Sequence, residues 1–397
     1  MKKNRYLGHK SHPSMKKAAF LISAILAAGC GAPENAFLAE GYAPTLKDST
    51  RLILTRFEGE MLIPVDTAHA TNGRFSFRYP ATGKGRLAIL TFSDDVSDMF
   101  LPLWSAPGEK AVITGDNNYK RTWSVKSRIP EQREAERYKQ AAKKEYEKLQ
   151  QISMEYRKLS NTHGVSADSI SDKRQALKHT EDSLQYLIYD KTLEQLDRSE
   201  PDSPVFTDEL SGICLMIRHY EAFAGLRERA EIQYDRLPEK IKRSRTGKEM
   251  YVALHPPAKV RTGDRMADAE LVDSNGETHR LSEYLGKYVL LDFWSFGCGP
   301  CLLSLPELKA ASESYRDRLT VISITSDPKD LWQTASEEHG ITWVNLNASD
   351  DPTVSARYGV NGIPHQVIIS PAGIVLDSWA GYGQGLLEQR LKTYLSD

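Results

Sequence analysis

Cysteine is scarce in this chain: four residues among 397, too few for a disulfide-stapled scaffold. A charge excess of either sign is also missing. Lys and Arg number 52 against 53 Asp and Glu, and no basic run is interleaved with aromatic residues. The sequence therefore offers nucleic acid neither a field nor a stacking surface. The apolar stretch Ala18–Gly29 (AAFLISAILAAG) falls short of the roughly 20 residues that a helix needs to cross a bilayer. Proline and glycine are scarce from Pro130 to about Arg245, which leaves that region to helix. At this length, with 40% hydrophobic residues, the chain is expected to form two or three domains with packed cores.

The apolar stretch suits a signal-peptide core. It follows Lys16 and Lys17, and Ala27, Ala28 and Gly29 stand immediately before Cys30. That pattern resembles a bacterial lipobox, in which the cysteine is lipidated and becomes the first residue of the mature protein; Ala27 stands where Leu is commoner. The expectation is a lipoprotein signal peptide over 1–29, a lipid at Cys30 as the membrane attachment, and a location in the cell envelope facing the periplasm. The segment ahead of Met15 is long for a charged leader, which makes Met15 an alternative start.

Residues 30–128 alternate short β-rich runs with turn signals: Arg51–Phe57, Gly73–Tyr79, Arg86–Phe92, Met99–Trp104 and Lys110–Thr114. Such spacing predicts an all-β sandwich-like domain. It shows no catalytic constellation, with Asp94, Asp95 and Asp98 read as a solvent loop, and the domain is expected to bind or to space. Residues 129–255 are expected to be helical. Ala135, Tyr138, Ala142, Leu149, Ile152, Tyr156 and Leu159 mark one face of a long helix, interrupted by Glu145. Breaks near Gly164, Pro201 and Pro204 divide the region into three or four helices packed as a hairpin. Cys214 lies in an apolar run (ICLMI) and is expected to be a buried, inert thiol. His255-Pro256-Pro257 reads as a linker. From 256 to 397 the pattern becomes α/β: a hairpin about Ser274-Asn275-Gly276, strands Tyr288–Trp294 and Leu319–Thr325, helices at Asp330–His339 and Thr353–Tyr358, strands Gln366–Ser370 and Ile374–Trp379, and a closing helix Gly385–Leu395.

The strand Tyr288–Trp294 (YVLLDFW) contains one acid, Asp292, and leads into Cys298-Gly299-Pro300-Cys301. A strand that delivers a Cys-x-x-Cys pair to a helix start is a dithiol redox device. Unpaired backbone N–H groups and the positive end of the helix dipole favour thiolate at Cys298, the expected nucleophile.

The run Asp292–Cys301 (DFWSFGCGPC) resembles the thioredoxin active site, and Tyr358–Pro364 (YGVNGIP) resembles the thioredoxin segment that ends in a cis-proline facing the dithiol. The stretch from Arg261 to Asp397, with its hairpin, the LSEYLGK turn and an insertion around Trp343, resembles the envelope-anchored TlpA type of thioredoxin-like protein. The β-domain and helical middle resemble extensions carried by lipoprotein members. The resemblance implies a thioredoxin fold and a thiol-disulfide oxidoreductase that needs no cofactor beyond a redox-active Cys298–Cys301 disulfide. Cys298 would attack a protein or small-molecule disulfide, and Cys301 would resolve the mixed disulfide. Asp292 would lie beneath the pair, with its pKa raised by burial, and accept the proton of Cys301. Gly299, Pro300, Ile363 and Pro364 would meet the substrate, and a membrane thiol donor would supply electrons. The Gly-Pro spacer and Ile363 resemble low-potential members, which implies a reductant.

Gly297 replaces the Trp usual before the first Cys, Ser304 stands where anchored reductases often carry Glu, and Pro306 kinks the helix as in the family. His365 is read as structural. Two alternatives remain open. The opening hairpin also resembles peroxiredoxins, whose Pro-x-x-x-Thr/Ser-x-x-Cys motif is half present, with Ser295 in place and Leu291 for the proline. A non-enzymatic, ligand-binding lipoprotein with zinc on the dithiol is the other, although no metal is expected because no His stands at ligand spacing.

Overall fold

The computed structural model describes residues 35–58, 61–93, 95–160 and 167–395. Cys30 with its leader, Asp94 and Gly164 lie outside these residues. Strands β1 (Phe37–Tyr42), β2 (Arg51–Glu58), β3 (Met61–His69), β4 (Arg74–Tyr79), β5 (Gly85–Thr91), β6 (Leu101–Ser105), β7 (Lys110–Thr114) and β8 (Ser124–Ser127) form two four-stranded sheets, ordered β4-β1-β7-β8 and β3-β2-β5-β6. Inward residues of both sheets, among them Phe37, Leu52, Leu54, Leu87 and Leu101, make one core with Trp123 from the connection before β8, as expected of a sandwich. β3 escapes the sequence reading because Pro64 interrupts it. As the edge strand it tolerates a missing N–H, and its pairing with β2 shifts register at that point.

Seven α-helical segments follow among the described residues, instead of three or four: α1 (Pro130–Ala141), α2 (Lys143–Ser160), α3 (Ala167–Leu196), α4 (Pro204–His219), α5 (Arg227–Asp235), α6 (Glu239–Lys242) and α7 (Arg245–Leu254). The expected long helix breaks at Ala142, whose backbone (φ −115, ψ 20) leaves the helical region. Ala142 itself is buried with Leu149, Ile152, Leu184 and Ile188, so packing dictates the break. Ser203 caps α4, accepting from Val205 N–H at 3.1 Å, and places Pro204 where no donor is needed. Ser244 caps α7 through Gly247 N–H at 3.2 Å.

The remaining chain forms β9 (Glu270–Val272), β10 (Thr278–Arg280), β11 (Tyr288–Phe293), α8 (Gly299–Ser314), β12 (Leu319–Thr325), α9 (Lys329–Glu338), β13 (Val344–Asn347), α10 (Thr353–Arg357), β14 (His365–Ile369), β15 (Val375–Ala380) and α11 (Leu386–Leu395). The last helix starts one residue later than expected, after Gly385 at φ +75, a left-handed conformation that a helix interior does not hold. The sheet order is β10-β9-β13-β12-β11-β14-β15, a thioredoxin-like arrangement with a leading hairpin. β11 is parallel to β12 and antiparallel to β14. Buried on both faces, it reads as a continuous apolar run. Val289, Leu291 and Phe293 face one core, while Leu290 faces Leu305 and Leu308 of α8. Asp292, two residues beyond Leu290, therefore points to the face that α8 covers.

The helical region and the α/β region belong to one compact unit, Asn35–Asp397. Lys248 of α7 donates to the Asp350 carbonyl at 3.2 Å. No helix of the described residues is long and apolar enough to cross a membrane.

Candidate active site

β11 delivers the chain to Trp294, whose N–H bonds the Ile324 carbonyl at 3.0 Å, and a short loop enters α8. Cys298 is the N-cap residue, and its Sγ accepts the Cys301 N–H at 3.1 Å. Pro300 occupies the first turn, where its missing donor costs nothing. Cys298 and Cys301 form a disulfide. Cys298 is half-buried, Gly299 and Pro300 are exposed, and Cys301 is buried against Trp294, Trp332 and Ala335. The sulfur beside solvent is thus the one that receives the helix N–H. This geometry lowers a thiol pKa in the reduced state.

The Ile363–Pro364 bond is cis, and the Ile363 carbonyl oxygen lies 3.6 Å from Cys298 Sγ. The Ile363 side chain is 37% exposed. An extended peptide lying along this edge would meet the dithiol and a free apolar side chain together.

Asp292 is wholly buried. Its carboxylate accepts from Gln366 Nε2 at 2.9 Å and from Ser323 Oγ at 3.1 Å, and Ser323 Oγ in turn accepts Trp343 Nε1–H at 2.9 Å. Gln366 and Ser323 are its cross-strand neighbours on β14 and β12. Burial pushes the Asp292 carboxyl up to about 6, against the opposing pull of these two hydrogen bonds. A group titrating there can exchange a proton near neutrality.

A second acid, missed in the sequence, organises the loop before the dithiol. Buried Asp327 accepts Ser295 Oγ–H at 2.8 Å and Phe296 N–H at 2.7 Å. Its own N–H is held by Thr325 Oγ1 at 3.1 Å. Nothing in the order of residues joins Asp327 to the loop; β12 lying beside β11 does. Ser304 Oγ donates to the Cys301 carbonyl at 2.7 Å. His365 Nε2 contacts Ser378 Oγ at 2.9 Å, and burial lowers the imidazole pKa, consistent with packing.

A cleft of about 390 Å³ opens beside Cys298, lined also by Asp327, Ile363 and Val360 and, from the helical region, by Arg245. The helices pack on one another around a shared core, and through Arg245 the helical region also contributes to the wall at the dithiol. Arg245 begins α7 and pairs with Glu249 at 2.8 Å. Cys214 is buried on α4, and burial pushes its thiol up to about 12.

Residues 262–378 match the AhpC/TSA family. The Thioredoxin-like protein YneN of Bacillus subtilis is 29% identical over 126 residues, which cover 31% of this chain and 73% of that protein. The thiol-disulfide oxidoreductase ResA of Geobacillus kaustophilus is 30% identical over 118 residues, covering 29% of this chain and 67% of the relative. A thioredoxin of Porphyra purpurea is 30% identical over 109 residues, covering 27% of this chain and 80% of the relative.

Proposed function

The chain belongs, through residues 262–378, to the thioredoxin-like AhpC/TSA family and is an oxidoreductase; on that premise we propose that it is a lipid-anchored, TlpA-type thiol-disulfide oxidoreductase of the cell envelope. It reduces protein disulfides with the Cys298/Cys301 dithiol. The observation that carries this reading is the half-exposed Cys298 at the start of α8, with the Cys301 N–H on its sulfur and the Ile363 carbonyl in front of it.

The Cys298 thiolate attacks one sulfur of the substrate disulfide; that S–S bond breaks, and the departing thiolate takes a proton from water. Cys301, deprotonated with Asp292 as acceptor, then attacks Cys298 Sγ. The mixed disulfide breaks, the second substrate sulfur leaves as a thiolate that takes a proton from water, the Cys298–Cys301 disulfide forms, and Asp292 returns its proton to solvent. The substrate has gained two electrons and two protons, and a membrane thiol donor returns the protein to its dithiol form.

The full chain should accelerate the dithiothreitol-driven precipitation of insulin, and Cys298→Ser should abolish the acceleration. Equal precipitation rates with and without the protein would refute the activity. The anchor is tested separately: detergent-phase partitioning should vanish in Cys30→Ala, and persistent partitioning would remove the lipid from the account.

The peroxidase alternative is poorly served by this site. The Ser295 hydroxyl that would serve the reactive thiol donates to Asp327 at 2.8 Å, and Leu291 is buried in the core where the motif needs proline. Peroxide turnover by the reduced protein distinguishes the two.

A further inference from the structure

A hollow of about 380 Å³ lies between the sandwich and the helical region, and the dithiol chemistry makes no use of it. Its volume is that of a small-ligand site. Phe100, Trp104, Leu149, Ile188 and Tyr189 supply apolar and aromatic wall. Arg121 also lines it. The guanidinium sits 5.2 Å from the Phe100 ring centroid and 5.2 Å from that of Tyr146, an arrangement that orients the group without neutralising it.

The other cations of the wall are engaged. Arg86 pairs with Asp208 at 2.9 Å, and Lys139 pairs with Glu136 and donates to the Trp123 carbonyl at 2.5 Å. Arg121 differs: its Nε and Nη1 are buried and have no hydrogen-bond partner. Leaving charged donors buried and unmatched is costly. Glu209, also on the wall, makes a poor counter-ion, because burial pushes its carboxyl up despite the opposing pull of Arg121.

A second observation points the same way. Gly212 lies inside α4 and lines the hollow, and a Cβ built on it meets nothing within 4 Å. A glycine within a helix is less favourable than alanine. Here no neighbouring atom demands it, and what it preserves is open space.

We propose that this hollow binds a small monocarboxylate with an aromatic or branched apolar body, its carboxylate held by Nε and Nη1 of Arg121. One guanidinium with two unmatched donors balances one negative charge, whereas a phosphate dianion would bring a second, unpaired charge into an apolar enclosure. The walls take the body of the ligand, and Gly212 leaves room for it.

The test is calorimetric titration of the full chain with 3-phenylpropionate and with indole-3-acetate, each against its neutral amide. Saturable binding is expected for at least one acid, at least tenfold tighter than for its amide. Arg121→Gln should bring acid and amide within about twofold of each other. Gly212→Leu, which fills the hollow while favouring helix, should abolish binding of both. Insulin reduction should be unchanged in either variant, which also shows that each is folded. No saturable binding of either acid by the wild type, or binding that survives unchanged in either variant, overturns the proposal.

Discussion

Replacing Asp292 by asparagine should stabilise this protein at neutral pH and cease to do so in acid. The carboxyl titrates at about 6 when folded, against an ordinary 3.8. Folding therefore favours its protonated form: the associated stability is fully present below about pH 4 and is lost as pH rises through 6. Two pKa units correspond to about 3 kcal/mol of penalty on the native state above pH 6. Because the side chain is wholly buried, solvent screening does not dilute it. Asparagine removes this penalty and keeps an acceptor for Gln366 Nε2–H. It presents an N–H2 to Ser323 Oγ, whose own proton then lacks its acceptor, at a cost of about 1 kcal/mol. The net expectation is a gain of about 2 kcal/mol at pH 8, shrinking through pH 6 and gone by pH 4. Urea unfolding of wild type and variant, followed by tryptophan fluorescence across that range, measures the difference. Turnover supplies the second half of the test. The variant should be slower, and more so at neutral than at alkaline pH, where hydroxide replaces the missing base for Cys301. A stability difference that does not change with pH, or a wild type more stable at pH 8, would refute the assignment of Asp292 as a buried proton carrier.

Three further outcomes follow from the same geometry. Gln366→Leu removes one of the two hydrogen bonds that oppose burial at Asp292, so the acid limb of the pH–rate profile should move upward; an unmoved limb would dissociate the two residues. Asp327→Ala strips the acceptor from Ser295 Oγ–H and Phe296 N–H, and at about 1.5–3 kcal/mol for a hydrogen bond to a charged group it should cost about 3 kcal/mol in urea unfolding. A loss under about 0.5 kcal/mol would show that the loop is held by other contacts. Cys214, with its thiol pushed up to about 12, should resist iodoacetamide in the native protein at pH 8 and react in urea; equal labelling would contradict its burial.

Much of the α/β region is legible in the residue order because its signals are local. The apolar run of β11, the turn about Asn275 and the Cys-x-x-Cys pair each state their structure within a few residues, and the Tyr358–Pro364 segment carries its cis-proline in a motif. The support of the site is not local. Ser323 and Gln366 reach Asp292 because β12 and β14 flank β11 in a particular register, and a shift of one residue would turn all of them to the other face. Asp327 organises the loop before Cys298 for the same reason. Arg245 is more distant still, since nothing in its surroundings on α7 announces that the helix N-terminus will wall the cleft. In the sandwich, β1 went unread because two of its inward positions are the small Ala39 and Gly41 while Leu38 and Tyr42 face outward, β8 because it is four residues long, and β3 because Pro64 interrupts it. The break at Ala142 reflects the packing of α2 against α3, which no periodicity along one helix records.

Alkylation of the reduced single mutants separates the roles of the two cysteines. In Cys301→Ser, the remaining Cys298 keeps the exposed helix start and its N–H partner. It should react rapidly with iodoacetamide at neutral pH, titrate within the range of about 3.5 to 7.5 seen for such cysteines, and accumulate stable mixed disulfides with substrate. In Cys298→Ser, buried Cys301 should react slowly and trap nothing. An ordinary titration of Cys298 near 8.5, with no trapped complexes, would show that Cys298 is not the activated nucleophile.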